Sequence, residues 1–229
     1  KILLKNTVEN VFKKAVMQPV YCPYYIKFLL GISKNYNGMM DLFLTEKINL
    51  YLKIVNIDEN IYSVDNCKLT ENTDSKKETS EYDEYCLLVK RKTYKRGFSQ
   101  FIGELYNHNV VSHDNLLTMY SKLLDSLKEL LEWEPVNHDN LEELVIYITK
   151  LINTTFDKIK LNINKNVLTQ IFDQVKELTD NKKIPNRLRF NIIDVYEIYV
   201  NFTKTIKDQQ QQVAKQQQVA KQQQVAKQQ

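Results

Sequence analysis

Side chains able to do covalent chemistry are sparse in this sequence, and their spacing argues against catalysis. Ser112, His113 and Asp114 supply the residue types of a nucleophilic triad. Neighbours at the start of a helix do not face one another, however, so the trio is expected to cap a helix on a solvated surface. His108 and His138 also fall at expected helix ends. The three cysteines, Cys22, Cys67 and Cys86, are odd in number and lack CxxC spacing, which argues against a disulfide framework or a zinc site. They are expected as packing residues. The four glycines, at 31, 38, 97 and 103, form no phosphate-cradling loop, and no serine occupies a GxSxG elbow. No catalytic residue, metal site or cofactor is expected, and the chain is read as a non-enzyme without a small-molecule substrate.

Charge and aromatic residues carry the stronger signals. Lys90, Arg91, Lys92, Lys95 and Arg96 place five cations within seven residues, and Lys182, Lys183, Arg187 and Arg189 form a second group. Phosphate binding needs several cations on one face and little else, so Lys90 to Arg96, with Lys182 and Lys183, are candidate RNA contacts. The alternative is a solvated helix surface balanced by acidic residues just upstream. A net charge of +4 and a pI near 8.7 permit nucleic-acid binding without demanding it. Tyr21, Tyr24 and Tyr25 are candidates for an exposed aromatic patch that meets a protein partner. Packing offers the other outcome, with two of the three in the core.

These residues must be positioned by helices. At 229 residues the chain can bury a sizeable core as one domain, and 4 Gly and 4 Pro leave long stretches uninterrupted. Apolar spacing predicts a first helix through Leu4, Val8, Val11, Phe12 and Ala15, ending before Pro19. A second begins near Pro23 and buries Tyr25, Phe28, Leu29 and Ile32, ending at a break over residues 35–38. Phe43 or Leu44, Ile48, Tyr51, Leu52 and Val55 make a third. Residues 56–83 lose this periodicity and are expected to be a mobile acidic insertion.

The fourth helix starts near Glu84, carries the first basic group and continues through Phe98, Phe101, Ile102 and Leu105. Gly103 interrupts that stripe, which predicts a close approach by another helix. Ser112 should cap a fifth helix through Leu116, Tyr120, Leu123, Leu127 and Leu130. Asp139 and Glu142 have the capping-box spacing for a sixth. A seventh follows through Val167 to Leu178, and an eighth from Pro185 to about Thr205. Consecutive amphipathic helices in pairs, about 40 to 50 residues per pair, predict an all-α, HEAT-type α-α solenoid over 1–207. Arginine–carboxylate pairs between repeats are the structural role expected for Arg187 and Arg189, with Glu104 and Asp194 as partners. From residue 208 to 229 the VAKQQQ repeat turns about 600° per unit, so its valines form no seam, and a disordered low-complexity tail is expected over a lone exposed helix.

Three stretches in order carry a family resemblance: VFKKAVMQPVYCPYY (residues 11–25), RGFSQFIGELYNHN (96–109) and KKIPNRLRFNIIDVYEI (182–198). Together they make the chain resemble the middle domain of the large scaffold subunit of eukaryotic translation initiation factor 4, the gamma subunit. Phe101, Gly103, Glu104, Arg187, Arg189 and Asp194 lie in the matching motifs. The resemblance implies a stack of about five HEAT repeats in which this chain lacks the first helix of repeat one. It implies a variable loop at the acidic insertion and the absence of catalytic residues. It also implies partners: a DEAD-box RNA helicase of the initiation-factor-4A type held between the solenoid ends, messenger RNA on basic surfaces, and other initiation factors. Relatives in nonsense-mediated decay, splicing and poly(A)-binding-protein-linked regulation leave open a generic interaction module without helicase activation. No signal peptide or membrane-length apolar run is visible, and a chain starting at Lys1 is expected to be an excised piece. Cytoplasmic location is expected, in the host if the source is a virus.

Overall fold

The computed structural model describes residues 2–55 and 81–226. The acidic insertion expected over 56–83 therefore lies, for residues 56–80, outside the described residues. Among the described residues every long element is an α-helix: α1 (Ile2–Met17), α2 (Cys22–Ser33), α3 (Asn37–Val55), α4 (Glu81–Asn107), α5 (His113–Glu132), α6 (His138–Asn162), α7 (Lys165–Thr179) and α8 (Asn186–Ala226). A 3₁₀ turn over Pro19–Tyr21 joins α1 to α2.

Local chemistry sets the helix ends. Proline disfavours helix in the residue before it, and α1 stops at Met17, two residues short of Pro19. Pro23 sits in the first turn of α2, where its missing N–H costs nothing. At α5 the Asn115 N–H donates to Ser112 Oγ at 3.2 Å, as the spacing predicts. The expected capping box at α6 is not formed. The cap is Asn137, whose Oδ1 accepts from the Asn140 N–H at 3.1 Å. Starting two residues early frees Glu142 to face neighbouring helices. The break after α2 is also shorter than expected, since α3 begins at Asn37 and includes Gly38. α8 runs through the low-complexity repeat to Ala226, in place of the disorder expected there. Gln, Ala and Lys are good helix formers, and the body supplies the nucleus that a lone helix lacks.

The helices stack in two layers. α2, α4, α6 and α8 meet in succession, α3, α5 and α7 form the second layer, and α1 crosses both α2 and α4. This is an all-α, HEAT-like solenoid. Its core centres on Phe12, which packs edge-to-face against Phe43, Phe98 and Phe101 at 6.0, 5.4 and 5.0 Å between ring centroids. Two glycines permit the closest crossings on α4. A methyl on Gly103 would stand 2.7 Å from the Thr154 side chain of α6, as the sequence predicts. A methyl on Gly97 would overlap the backbone carbonyl of Val16 in α1, a tighter approach that the sequence did not single out.

Cations seal helix ends from neighbouring segments. Lys158 of α6 donates to the carbonyls of Tyr106 and Asn107, at 2.5 and 3.1 Å, and lies 4.6 Å over the Tyr106 ring. It thereby satisfies carbonyls that the end of α4 leaves open. Lys183, before α8, does the same for the Leu131 carbonyl of α5 at 2.8 Å.

Candidate docking and nucleic-acid surfaces

On α2 the buried face is Cys22, Ile26 and Leu29, spaced i, i+4, i+7. That choice rotates the expected stripe. Tyr21 and Tyr24 are 57% and 68% exposed, and Phe28, expected in the core, is 52% exposed. Tyr25 is half-buried, with its hydroxyl donating to Gln18 Oε1 at 2.7 Å. The expectation that two of the three tyrosines are core is thus corrected, because only Tyr25 turns inward. Tyr21, Tyr24 and Phe28 fall at i, i+3 and i+7, so with neighbouring Val20 they form one apolar ridge on the surface. That spacing was visible in the sequence and would have added Phe28 to the patch.

The basic group on α4 is divided by the helix it packs against. α6 brings Glu142 and Glu143 to α4, and each takes one lysine. Lys95 is buried against Glu143, which is buried too, so it does not face a ligand. Half-buried Lys92 donates to Glu142 Oε2 at 2.8 Å. Lys90 and Arg96 are exposed, and neither forms an ion pair among the described residues. Lys90, Lys92, Lys95 and Arg96 therefore do not share one surface, and the side chain of Arg91 lies outside the described residues. In the second group Lys182 is exposed, while Lys183 is engaged with α5.

The arginines also differ from expectation. Arg187 pairs with Glu142 at 2.6 Å, so Glu142 joins α4, α6 and α8. Among the described residues Arg189 meets no carboxylate; its Nη2 donates to the carbonyls of Asn181 and Ile184, at 3.2 and 3.0 Å, and braces the α7–α8 turn. Glu104 instead accepts from Asn107 Nδ2 at 3.3 Å. Asp194 is exposed and lines a cleft with Arg96. Phe101 and Gly103 are buried at the α4 crossings.

The hydrogen bond from Lys92, with the charges of Lys92 and Arg187, holds the Glu142 carboxyl below the usual carboxylate range despite partial burial. A depressed folded pKa contributes stability that is present above the unfolded value, about 4.3, and is lost as pH falls through the lower folded one. Glu142→Gln is accordingly expected to flatten the pH–stability curve in acid. Urea unfolding across the acid range checks this, and curves of identical slope would refute it.

Cys67 lies outside the described residues. Burial, followed by the charge of Glu104 and against that of Lys150, pushes the Cys22 thiol up to about 12, so it is a packing residue and not a nucleophile. Among the described residues no group of His, Cys, Asp and Glu is placed to hold a metal ion, and no helix is long and apolar enough to cross a membrane.

Comparison with known proteins agrees with this architecture. The MIF4G domain model matches residues 2–201. A relative named eukaryotic translation initiation factor 4G, from Arabidopsis thaliana, is 24% identical over 87% of this chain and 11% of its own length. A von Willebrand factor A domain-containing protein of Dictyostelium discoideum is 22% identical over 91% of this chain and 9% of its own. The chain thus spans about a tenth of each of these curated relatives. With a two-layer helical stack whose body coincides with the matched residues, the chain belongs to the MIF4G domain family.

Proposed function

We propose that this chain is a scaffold domain of translation initiation, which docks and activates a DEAD-box RNA helicase of the initiation-factor-4A type and contacts messenger RNA. The observation that carries the proposal is the family match across 2–201, together with the relative named for translation initiation. Such a role needs docking faces and no reactive centre. The ridge of Val20, Tyr21, Tyr24 and Phe28 supports a protein partner, since contiguous exposed aromatics mark interaction surfaces. The exposed Lys90, Arg96 and Lys182, which form no ion pair among the described residues, are the candidate RNA contacts, and other initiation factors and a cytoplasmic setting belong to the same proposal. The match to a Dictyostelium relative named for a von Willebrand factor A domain supports a second reading: a protein-interaction module without helicase activation.

The test is the RNA-dependent ATPase of a purified initiation-factor-4A-type helicase, with and without this chain. Stimulation supports the scaffold; absence of binding, with no salt-dependent RNA retention, leaves the interaction module. Tyr24→Ala combined with Phe28→Ala should leave the melting temperature near wild type and weaken helicase binding by about 30-fold or more, the scale of an interface hot spot. Unchanged affinity would remove α2 from the interface.

A further inference from the structure

α4, α6 and α8 wall a cleft of about 260 Å³ that holds Arg96, Thr149, Lys150, Asn153, Asn191 and Asp194. Apart from Ile146 its lining is polar: two cations, two carboxamides, a hydroxyl and one carboxylate. Arg96, Lys150 and Asp194 form no direct ion pair among the described residues, so the polar heads of all three stay available to a ligand. Burial, and next the charge of Arg96, holds the Lys150 ammonium below the usual lysine range, although Cys22 and Glu104 oppose this. Two like charges brought together and partly desolvated make a seat for an anion. A purely anionic ligand would be repelled by Asp194, so the complement must also offer a hydrogen-bond donor. A ribonucleotide offers both, a phosphate and a 2′-hydroxyl. One turn before Asp194 on the same face of α8, Phe190 is 63% exposed, which supplies a surface for base stacking.

We propose that this cleft seats one nucleotide of single-stranded RNA, with its phosphate on Arg96 and Lys150, its 2′-hydroxyl on Asp194 and its base against Phe190. This rests on the RNA-contact part of the proposed function and gives that contact a location and a chemistry. Binding of a labelled twelve-residue oligouridine, and of the matching deoxyuridine strand, is measured by fluorescence anisotropy over a range of salt. Arg96→Gln and Lys150→Gln should each weaken RNA binding about tenfold, and the two together should lower the salt slope by about 0.7, one phosphate's share for a single strand. Phe190→Ala should weaken both strands about tenfold, and Asp194→Ala should narrow the preference for RNA over DNA. Circular dichroism melts confirm that each variant is folded. Failure of the unsubstituted chain to bind RNA would overturn both the cleft and the RNA part of the proposed function. RNA binding that is indifferent to all four variants would overturn the cleft alone. Lost helicase affinity with unchanged RNA affinity would also overturn it, and would place the cleft in the protein interface.

Discussion

Glu143→Ala is expected to lower the melting temperature by about 6–20 °C. Glu143 of α6 and Lys95 of α4 are 4% and 6% exposed and form an ion pair, with Lys95 also 6.0 Å from the centre of the Tyr147 ring. Removing one partner of a buried pair strands the other charge out of water, at a cost of about 3–5 kcal/mol. For a domain of 150–250 residues each kcal/mol corresponds to roughly 2–4 °C. The double variant Lys95→Met with Glu143→Leu replaces the pair by apolar groups of similar size and should recover most of the loss. A thermal scan of both variants checks this. If the single variant melts within about 2 °C of the parent, the pair does not brace α4 against α6. The same geometry predicts that Lys95 affects RNA affinity only through stability, unlike Arg96 one residue on.

Gly97→Ala is the second large effect. In most helix interiors the exchange would gain about 1 kcal/mol of propensity. Here the new methyl would overlap the Val16 carbonyl, which is backbone and cannot rotate aside, so α1 must shift away from α4. Overpacking of this kind costs about 1–3 kcal/mol or more, and the melting temperature should fall by about 2–12 °C. Gly103→Ala is the internal comparison, since its methyl meets the side chain of Thr154. A side chain yields more readily than a carbonyl, so Gly103→Ala should fall short of half the loss. Equal melts for the two variants, or a Gly97→Ala protein as stable as the parent, would contradict the crossing described.

Local rules made much of this fold legible. The apolar spacing of α1 and α5 names side chains that are buried, among them Val8, Phe12, Leu123 and Leu127, and Leu178 of α7 is buried as well. Ser112 and Pro23 act within a turn of their own positions, so their roles could be read directly. α2 was harder because nearly every residue from Cys22 to Ile32 is apolar or aromatic, and periodicity cannot choose a face when several would serve. The choice falls to packing, and it turns Phe28 outward.

The candidate sites were less legible because a sequence displays charges without their partners. Lys92 and Lys95 look like members of one basic surface until Glu142 and Glu143, some fifty residues later, are brought to α4. Lys150, Asn153 and Asn191 carried no signal, since the cleft exists only where three helices meet. Gly97 was passed over in favour of Gly103 for a related reason. Only Gly103 interrupts the apolar stripe, whereas the depth of the approach at Gly97 is set by the path of α1.

The length of α8 has a geometric consequence. Its last ring packed on the body belongs to Phe202, which meets Phe156 at 5.8 Å, yet the helix continues to Ala226. At 1.5 Å per residue that leaves a rod of about 36 Å beyond the seat. A tilt of about 5° where α8 lies against α6 would sweep the tip through about 3 Å. The solenoid thus carries a pointer that magnifies small adjustments between its last helices into displacements on the scale of an atomic contact.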